Sequence, residues 1–205
     1  MSRLEGKRIG FCMTGSFCTF SRVLDELDAL CATGAQVQGI LSENAYSLDT
    51  RFLPAAEVRR RVERATGREI WHTLGQVEPI GPKGLLDLVI VAPATGNTLG
   101  KLAAGIIDTP VAMAVKSHLR NNRPVLLAVS TNDGLSGCAP NIGRLLGMRN
   151  LYFVPFGQDA PFQKPASLVA HFERIQAAAE SALRGEQLQP LLVQSPAPAR
   201  EAPIS

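Results

Sequence analysis

The sequence predicts an α/β fold of three layers, in which a doubly wound, mainly parallel sheet of five or six strands carries helices on both faces. Three observations predict it. Short apolar runs alternate along the chain with stretches whose apolar residues recur at helical spacing. The run Leu86 to Ala92 (LDLVIVA) lacks polar alternation, as expected of a strand covered on both faces. Such runs end in small hydroxyl or amide residues, as at Thr14-Gly15-Ser16 and Ser130-Thr131-Asn132.

Taken in order, Arg8 to Met13 (RIGFCM) reads as the first strand, and Ser21 to Thr33 as a helix in which Val23, Leu24, Leu27 and Leu30 share a face. Gln36 to Leu41 (QVQGIL) repeats the strand signal and stops at Ser42, which completes a right-handed βαβ unit. Pro54 suits the first turn of an Arg-rich helix that runs to about Thr66 and is closed by Gly67. Trp71 to Gly84 lacks a period and is expected to be irregular. Further helices are expected over Asn97 to Ala104, Val111 to Leu119 and Ala139 to Leu146, and strands over Pro124 to Val129 and Leu151 to Val154. Ser167 to Leu183 reads as a final amphipathic helix, and Gly157 to Pro161 as a turn, suited to a contact between protomers or to closing over a ligand.

Composition sets the outer limits. With 205 residues, 45% of them hydrophobic and 19% charged, the chain has material for one large core. A single domain over residues 1–189 is expected. From residue 190 onward, four prolines (Pro190, Pro196, Pro198 and Pro203) and few large apolar residues predict a disordered Pro/Ala-rich tail. The formal charge of +3 is spread rather than striped, which argues against a nucleic-acid partner. Neither a leader-like apolar stretch nor a bilayer-length run stands in the sequence, so no membrane partner and a cytoplasmic location are expected. Cys12, Cys18, Cys31 and Cys138 show no C-x-x-C pairing, so they are expected to be reduced, mostly core thiols with no metal site.

In a doubly wound sheet, ligands collect at the carboxyl ends of strands, where helix N-termini offer free N–H groups. Strand ends therefore supply the candidate cofactor-binding residues: Thr14, Gly15 and Ser16, then Ser42, then Pro93, Thr95, Asn97 and Thr98, and finally Ser130, Thr131 and Asn132. Small side chains admit a phosphate to the backbone and the hydroxyls add hydrogen bonds. The alternative is that Ser, Thr and Asn only cap the helices that follow. Asn97 and Lys101 are the candidate catalytic residues, with Lys116 a further carboxylate partner; the competing reading places both lysines on a solvated face. His72 reads either as an acid or base or as a packed or surface histidine beside Trp71. Neither a P-loop nor G-x-G-x-x-G follows the first strand, which argues against a dinucleotide held in the Rossmann manner.

Family resemblance adds to these readings. Ala92 to Asp108 (APATGNTLGKLAAGIID) and Met13 to Ser16 (MTGS) resemble motifs of the flavin-dependent cysteine decarboxylases, which implies a flavoprotein fold able to bind FMN over about Lys7 to Leu183. Two departures stand against decarboxylation. The histidine those enzymes place before the motif strand is replaced by Gln76 to Gly81, and their P-x-M-N-x-x-M clamp by Ser130 to Gly134. Glu78 to Lys83 (EPIGPK), Pro93 to Thr98, Arg123 to Asp133 (RPVLLAVSTND) and Tyr152 to Pro161 (YFVPFGQDAP) resemble the family of dipicolinate synthase B subunits. That resemblance implies a sporulation protein in the mother cell of a spore-forming bacterium, an A subunit that carries NADP or NAD as its partner, dihydrodipicolinate as substrate, and a homo-oligomer. Three readings remain open: an oxidoreductase subunit that binds FMN or another phosphate-bearing ligand, a non-catalytic subunit that has lost its flavin, and an FMN-dependent decarboxylase.

Overall fold

The computed structural model describes residues 3–194. In chain order they form β1 (Arg8–Met13), α1 (Phe20–Ala32), β2 (Gln36–Leu41), α2 (Glu43–Ser47), α3 (Ala55–Thr66), α4 (Leu74–Val77), α5 (Ile80–Lys83), β3 (Leu88–Ala94), α6 (Gly96–Ala104), α7 (Pro110–Leu119), β4 (Val125–Thr131), α8 (Ala139–Leu146), β5 (Leu151–Phe153), β6 (Phe156–Gln158), β7 (Leu168–Ala170) and α9 (Ile175–Leu183). Each helix that covers the sheet turns an apolar stripe inward. In α1 it is Phe20, Val23, Leu24, Leu27 and Leu30, spaced three and four apart, while Asp25 faces solvent. Arg61 of α3 pairs with Asp25 and Asp28 of α1 at 3.0 Å each, which ties two helices across their outer faces.

The sheet order is β2-β1-β3-β4-β7-β6, with β5 also on β4. Strands β2, β1, β3, β4 and β5 run parallel, whereas β7 runs antiparallel to both β4 and β6. All seven residues of β3 are buried. Each fully buried Val, Leu or Ile in this layer contributes on the order of 2 kcal/mol. The free edge of β2 is covered by the chain at Trp71, whose N–H donates to Gly39 O at 3.0 Å and whose carbonyl accepts from Leu41 N at 2.9 Å.

The three-layer, doubly wound, mainly parallel architecture is the one the sequence predicts, with differences of detail. The described residues form seven strands, not five or six. Trp71 to Gly84 is not irregular: α4 and α5 lie within it, and Thr73 and Gln76 form a reciprocal capping box at the start of α4. One-turn helices are too short to show a period. Ser167 to Leu183 is helical only from Phe172, where a 3-10 turn over Phe172–Arg174 leads into α9, because Leu168–Ala170 is held as a strand between β4 and β6. For the same reason Gly157 and Gln158 are strand residues and the turn begins at Asp159. Cys12 and Cys138 are buried, but Cys31 is half-buried and Cys18 exposed.

The first residues of the expected tail continue the sheet. Leu191 O accepts from Phe156 N at 3.0 Å, and Val193 N donates to Phe156 O at 3.0 Å, so this stretch runs parallel to β6. The rest of that expected tail, residues 195–205, lies outside the described residues.

Candidate functional site

The sheet changes winding direction between β1 and β3, since β1 continues to β2 on one side while β3 and β4 add on the other. A crevice opens at such a point because the flanking helices leave on opposite faces. Here Thr14 joins the two strand ends. Its Oγ1 donates to Pro93 O at 2.7 Å and accepts from Thr95 N at 3.1 Å, with Thr95 Oγ1 3.4 Å away. Thr95 in turn caps α6, its Oγ1 accepting from Thr98 N at 3.3 Å and lying 3.0 Å from Thr98 Oγ1. Ser42 caps α2 by accepting from Ala45 N at 3.3 Å. The capping role weighed in the sequence is therefore real for Thr95 and Ser42; each oxygen retains further hydrogen-bonding capacity.

Two joined cavities open over these ends. The smaller, ≈ 370 Å³, is lined by Thr14, Gly15, Ser42, Asn97, Thr98 and Lys101, together with Glu43 and Thr109. The larger, ≈ 710 Å³, is lined by Ser16, Ser130, Thr131 and Asn132 among others, and shares Gly15 and Thr95 with the first. Both volumes fall in the range of small-molecule sites. Ser16 Oγ and Ser130 Oγ stand 2.7 Å apart and bridge β1 to β4 across the larger lobe. Thr131 bonds to the Asp133 carboxylate. At Gly96 the approach is so close that a Cβ would lie 2.6 Å from Thr131 Oγ1 and 2.9 Å from Asp133 Oδ1, so a side chain here would displace the Thr131–Asp133 pair.

Ten of the eleven strand-end residues named from the sequence line one or both lobes; the exception is Pro93, which is buried and acts through its carbonyl on Thr14. Asn97 is exposed at the start of α6. Lys101 reaches both carboxylate oxygens of Asp108 at 2.7 Å, and this contact holds the Asp108 carboxyl below its usual range.

Two other residues weighed from the sequence lie outside the lobes. Lys116 lies away from the strand ends, in a separate apolar groove with Leu102, Leu119 and Met148, because the outer face of α7 points there. His72 stacks on Tyr46 with ring centroids 3.8 Å apart and lines neither lobe, which fits the packed reading. The sequence reading missed Arg22, Arg51 and Lys164, which line the larger lobe together with Asp159 of the Gly157 to Pro161 segment. No local pattern marks them, since they come from a helix and two connections far apart in the chain.

A parallel sheet whose switch point carries hydroxyl-bearing turns and a two-lobed cleft defines a class. Residues 1–138 match the family model described as Flavoprotein, and the chain belongs to that family. Within it, the chain is 46% identical to the dipicolinate synthase B subunit of Bacillus subtilis (strain 168) over 195 residues, which is 95% of this chain and 98% of that protein. The crystal structure of the dipicolinate synthase B subunit from Bacillus halodurans superposes with a TM-score of 0.86 at 41% identity, covering 94% of this chain and 98% of that one. The crystal structure of SpaF, an FMN-dependent cysteine decarboxylase, superposes with a TM-score of 0.60 at 19% identity over 88% of this chain and 97% of that one, a likeness of fold alone.

Proposed function

We propose that the chain is the flavoprotein-fold subunit of a dipicolinate synthase, working with a separate nicotinamide-dependent A subunit to oxidise dihydrodipicolinate to dipicolinate. In that reaction one hydride and one proton leave the ring, the hydride passing to NADP or NAD on the partner. The observation that carries the reading is the 46% identity along nearly the full length of both proteins. Residues 1–189 would act as one domain, as a homo-oligomer, in the cytoplasm of the mother cell of a spore-forming bacterium. Among the described residues no helix is long and apolar enough to cross a membrane, in keeping with that location.

The residues of the cleft fit a phosphate ester such as FMN. Thr98, Asn97 and the first N–H groups of α6 would hold the phosphate, with Ser42 and Gly15 opposite. When bound, a flavin would supply a redox-active ring beside the substrate. Asn97, with an exposed amide, and Lys101 would orient the anionic ligand from the smaller lobe; Ser16, Ser130, Thr131 and Asn132 would line the ring's side. The second reading, a flavin-free stabilising subunit, draws support from the hydroxyls of Thr95 and Ser42, which already serve as helix caps.

The test is reconstitution of the pair. Purified chain mixed with the A subunit is expected to raise nicotinamide-linked dipicolinate synthesis, and Asn97→Ala to reduce it about tenfold, the loss of one ligand hydrogen bond of about 1.4 kcal/mol. Unchanged turnover with a folded variant removes Asn97 from the site. The absorption spectrum of the purified chain, with and without added FMN, separates the two readings: a bound flavin spectrum supports the first, and full activity with no flavin supports the second.

A further inference from the structure

The larger lobe of the cleft carries charge that a phosphate ester in the smaller lobe leaves unused. Its charged lining consists of Arg22, Arg51, Lys164 and Asp159, three cations and one carboxylate, a formal charge of +2 near neutral pH. In the smaller lobe Lys101 and Glu43 cancel, and Lys101 is already tied to Asp108. The surplus therefore sits in the larger lobe alone. Its three cations come from separate elements. Arg22 lies in the first turn of α1, Arg51 on the connection between α2 and α3, and Lys164 in the turn that follows β6.

Each cation is held differently. Lys164 Nζ lies 3.1 Å from Asp159 Oδ2. The Arg22 guanidinium sits 5.2 Å from the centre of the Phe172 ring, within the field of Glu26 and Glu173, neither of which lines the lobe. Arg51 lies 4.8 Å from the Phe52 ring centre and has no carboxylate at ion-pair distance among the described residues. Stacking on a ring fixes a guanidinium while leaving its edge N–H groups for a bidentate acceptor. The rings of Phe17 and Phe52 and the Ser16–Ser130 hydroxyl pair complete the lining, so the lobe offers apolar surface between its charges.

We propose that the larger lobe recognises a planar dicarboxylate, with Arg51 taking one carboxylate, Arg22 and Lys164 taking the other while Asp159 holds Lys164 in place, and the ring of the ligand lying against Phe17 and Phe52. The inference rests on the reading of the cleft as the substrate site of a dicarboxylate-oxidising pair, and names the residues that read the substrate. A phosphate monoester has a similar charge but concentrates it at one tetrahedral group. Cations on three separate elements around ≈ 710 Å³ suit two charges held apart by a ring.

The test titrates the full chain with pyridine-2,6-dicarboxylate by calorimetry, beside benzoate, a ring with a single carboxylate, and FMN. The dicarboxylate is expected to bind at least tenfold more tightly than benzoate and to weaken as salt is added. Arg51→Gln should weaken it at least tenfold while leaving FMN affinity within twofold. Arg22→Gln provides the same reading at a second position should the first variant not fold, with circular dichroism as the check on both. No dicarboxylate binding, equal affinity for benzoate, unchanged affinity in both folded variants, or a loss of FMN rather than dicarboxylate binding in Arg51→Gln overturns the proposal. Arg51-dependent dicarboxylate binding in a chain that fails to take up FMN would keep this inference and remove the flavin reading.

Discussion

Thr14 is 2% exposed, and its single hydroxyl both donates to Pro93 O and accepts from Thr95 N, so it connects two strand ends with one atom. Thr14→Val keeps the volume and removes both bonds, leaving buried backbone groups without partners, at a cost of about 1–3 kcal/mol. Urea unfolding is expected to show that loss, and Thr14→Ser to recover most of it. His118 makes the opposite case: it is 1% exposed and its Nε2 has no hydrogen-bond partner. Burial, reinforced by Arg123 and opposed by the carboxylate and backbone of Asp87, pulls its pKa down to about 4. The neutral form is the one the fold favours, so its contribution is complete above the unfolded value near 6.5 and is lost as pH falls from there toward 4. The loss amounts to about 3 kcal/mol, and His118→Leu should flatten that part of the stability profile measured between pH 7 and 4. Thr14 was legible because hydroxyls at a strand end are informative; nothing local marks His118 as buried, since its depth comes from the packing of α7 beside Asp87 and Pro124, just ahead of β3 and β4.

Among the elements, β2 and α3 meet at a glycine. A Cβ on Gly39 would lie 2.5 Å from Val62 Cγ1, so Gly39→Ala must displace the buried Val62 side chain of α3, at a cost of about 1–3 kcal/mol seen as a lower denaturant midpoint. Elements set by their own patterns were readable in advance. The stripe of α1 and the unbroken apolar run of β3 specify their conformations without help from the rest of the chain. Elements set by partners were not. Leu168–Ala170 has residues at home in either a helix or a strand, and what decides is hydrogen bonding to Ser130 and Thr131 on one side and to β6 on the other. The same applies to the cleft: strand-end hydroxyls were visible as a local motif, whereas Arg22, Arg51 and Lys164 become neighbours only through the fold.

For the whole molecule, the winding of the sheet decides where the chemistry lies. Parallel strands β1, β3 and β4 put their turns at one end, and the reversal between β1 and β3 separates the helices above that end. This much followed from the alternation of apolar runs; the antiparallel β6–β7 extension did not, because pairing at a sheet edge leaves no periodic trace in so few residues. Hydrogen exchange should be slowest in β1, β3 and β4 and faster over residues 43–53 and 159–167, which are outside the central sheet and border the larger lobe. A dicarboxylate bound between Arg51 and Lys164 should slow exchange in both stretches at once.

Strand β4 is served by two different neighbours along one edge, β5 beside Val125–Leu127 and β7 beside Ser130 and Thr131. Its root is thereby locked into the parallel core while its tip answers to a short hairpin that also carries Asp159 and Lys164. A shift in that hairpin would retune Ser130 and Thr131 without disturbing the strand below them, so the molecule has an adjustable mouth set on an unyielding base.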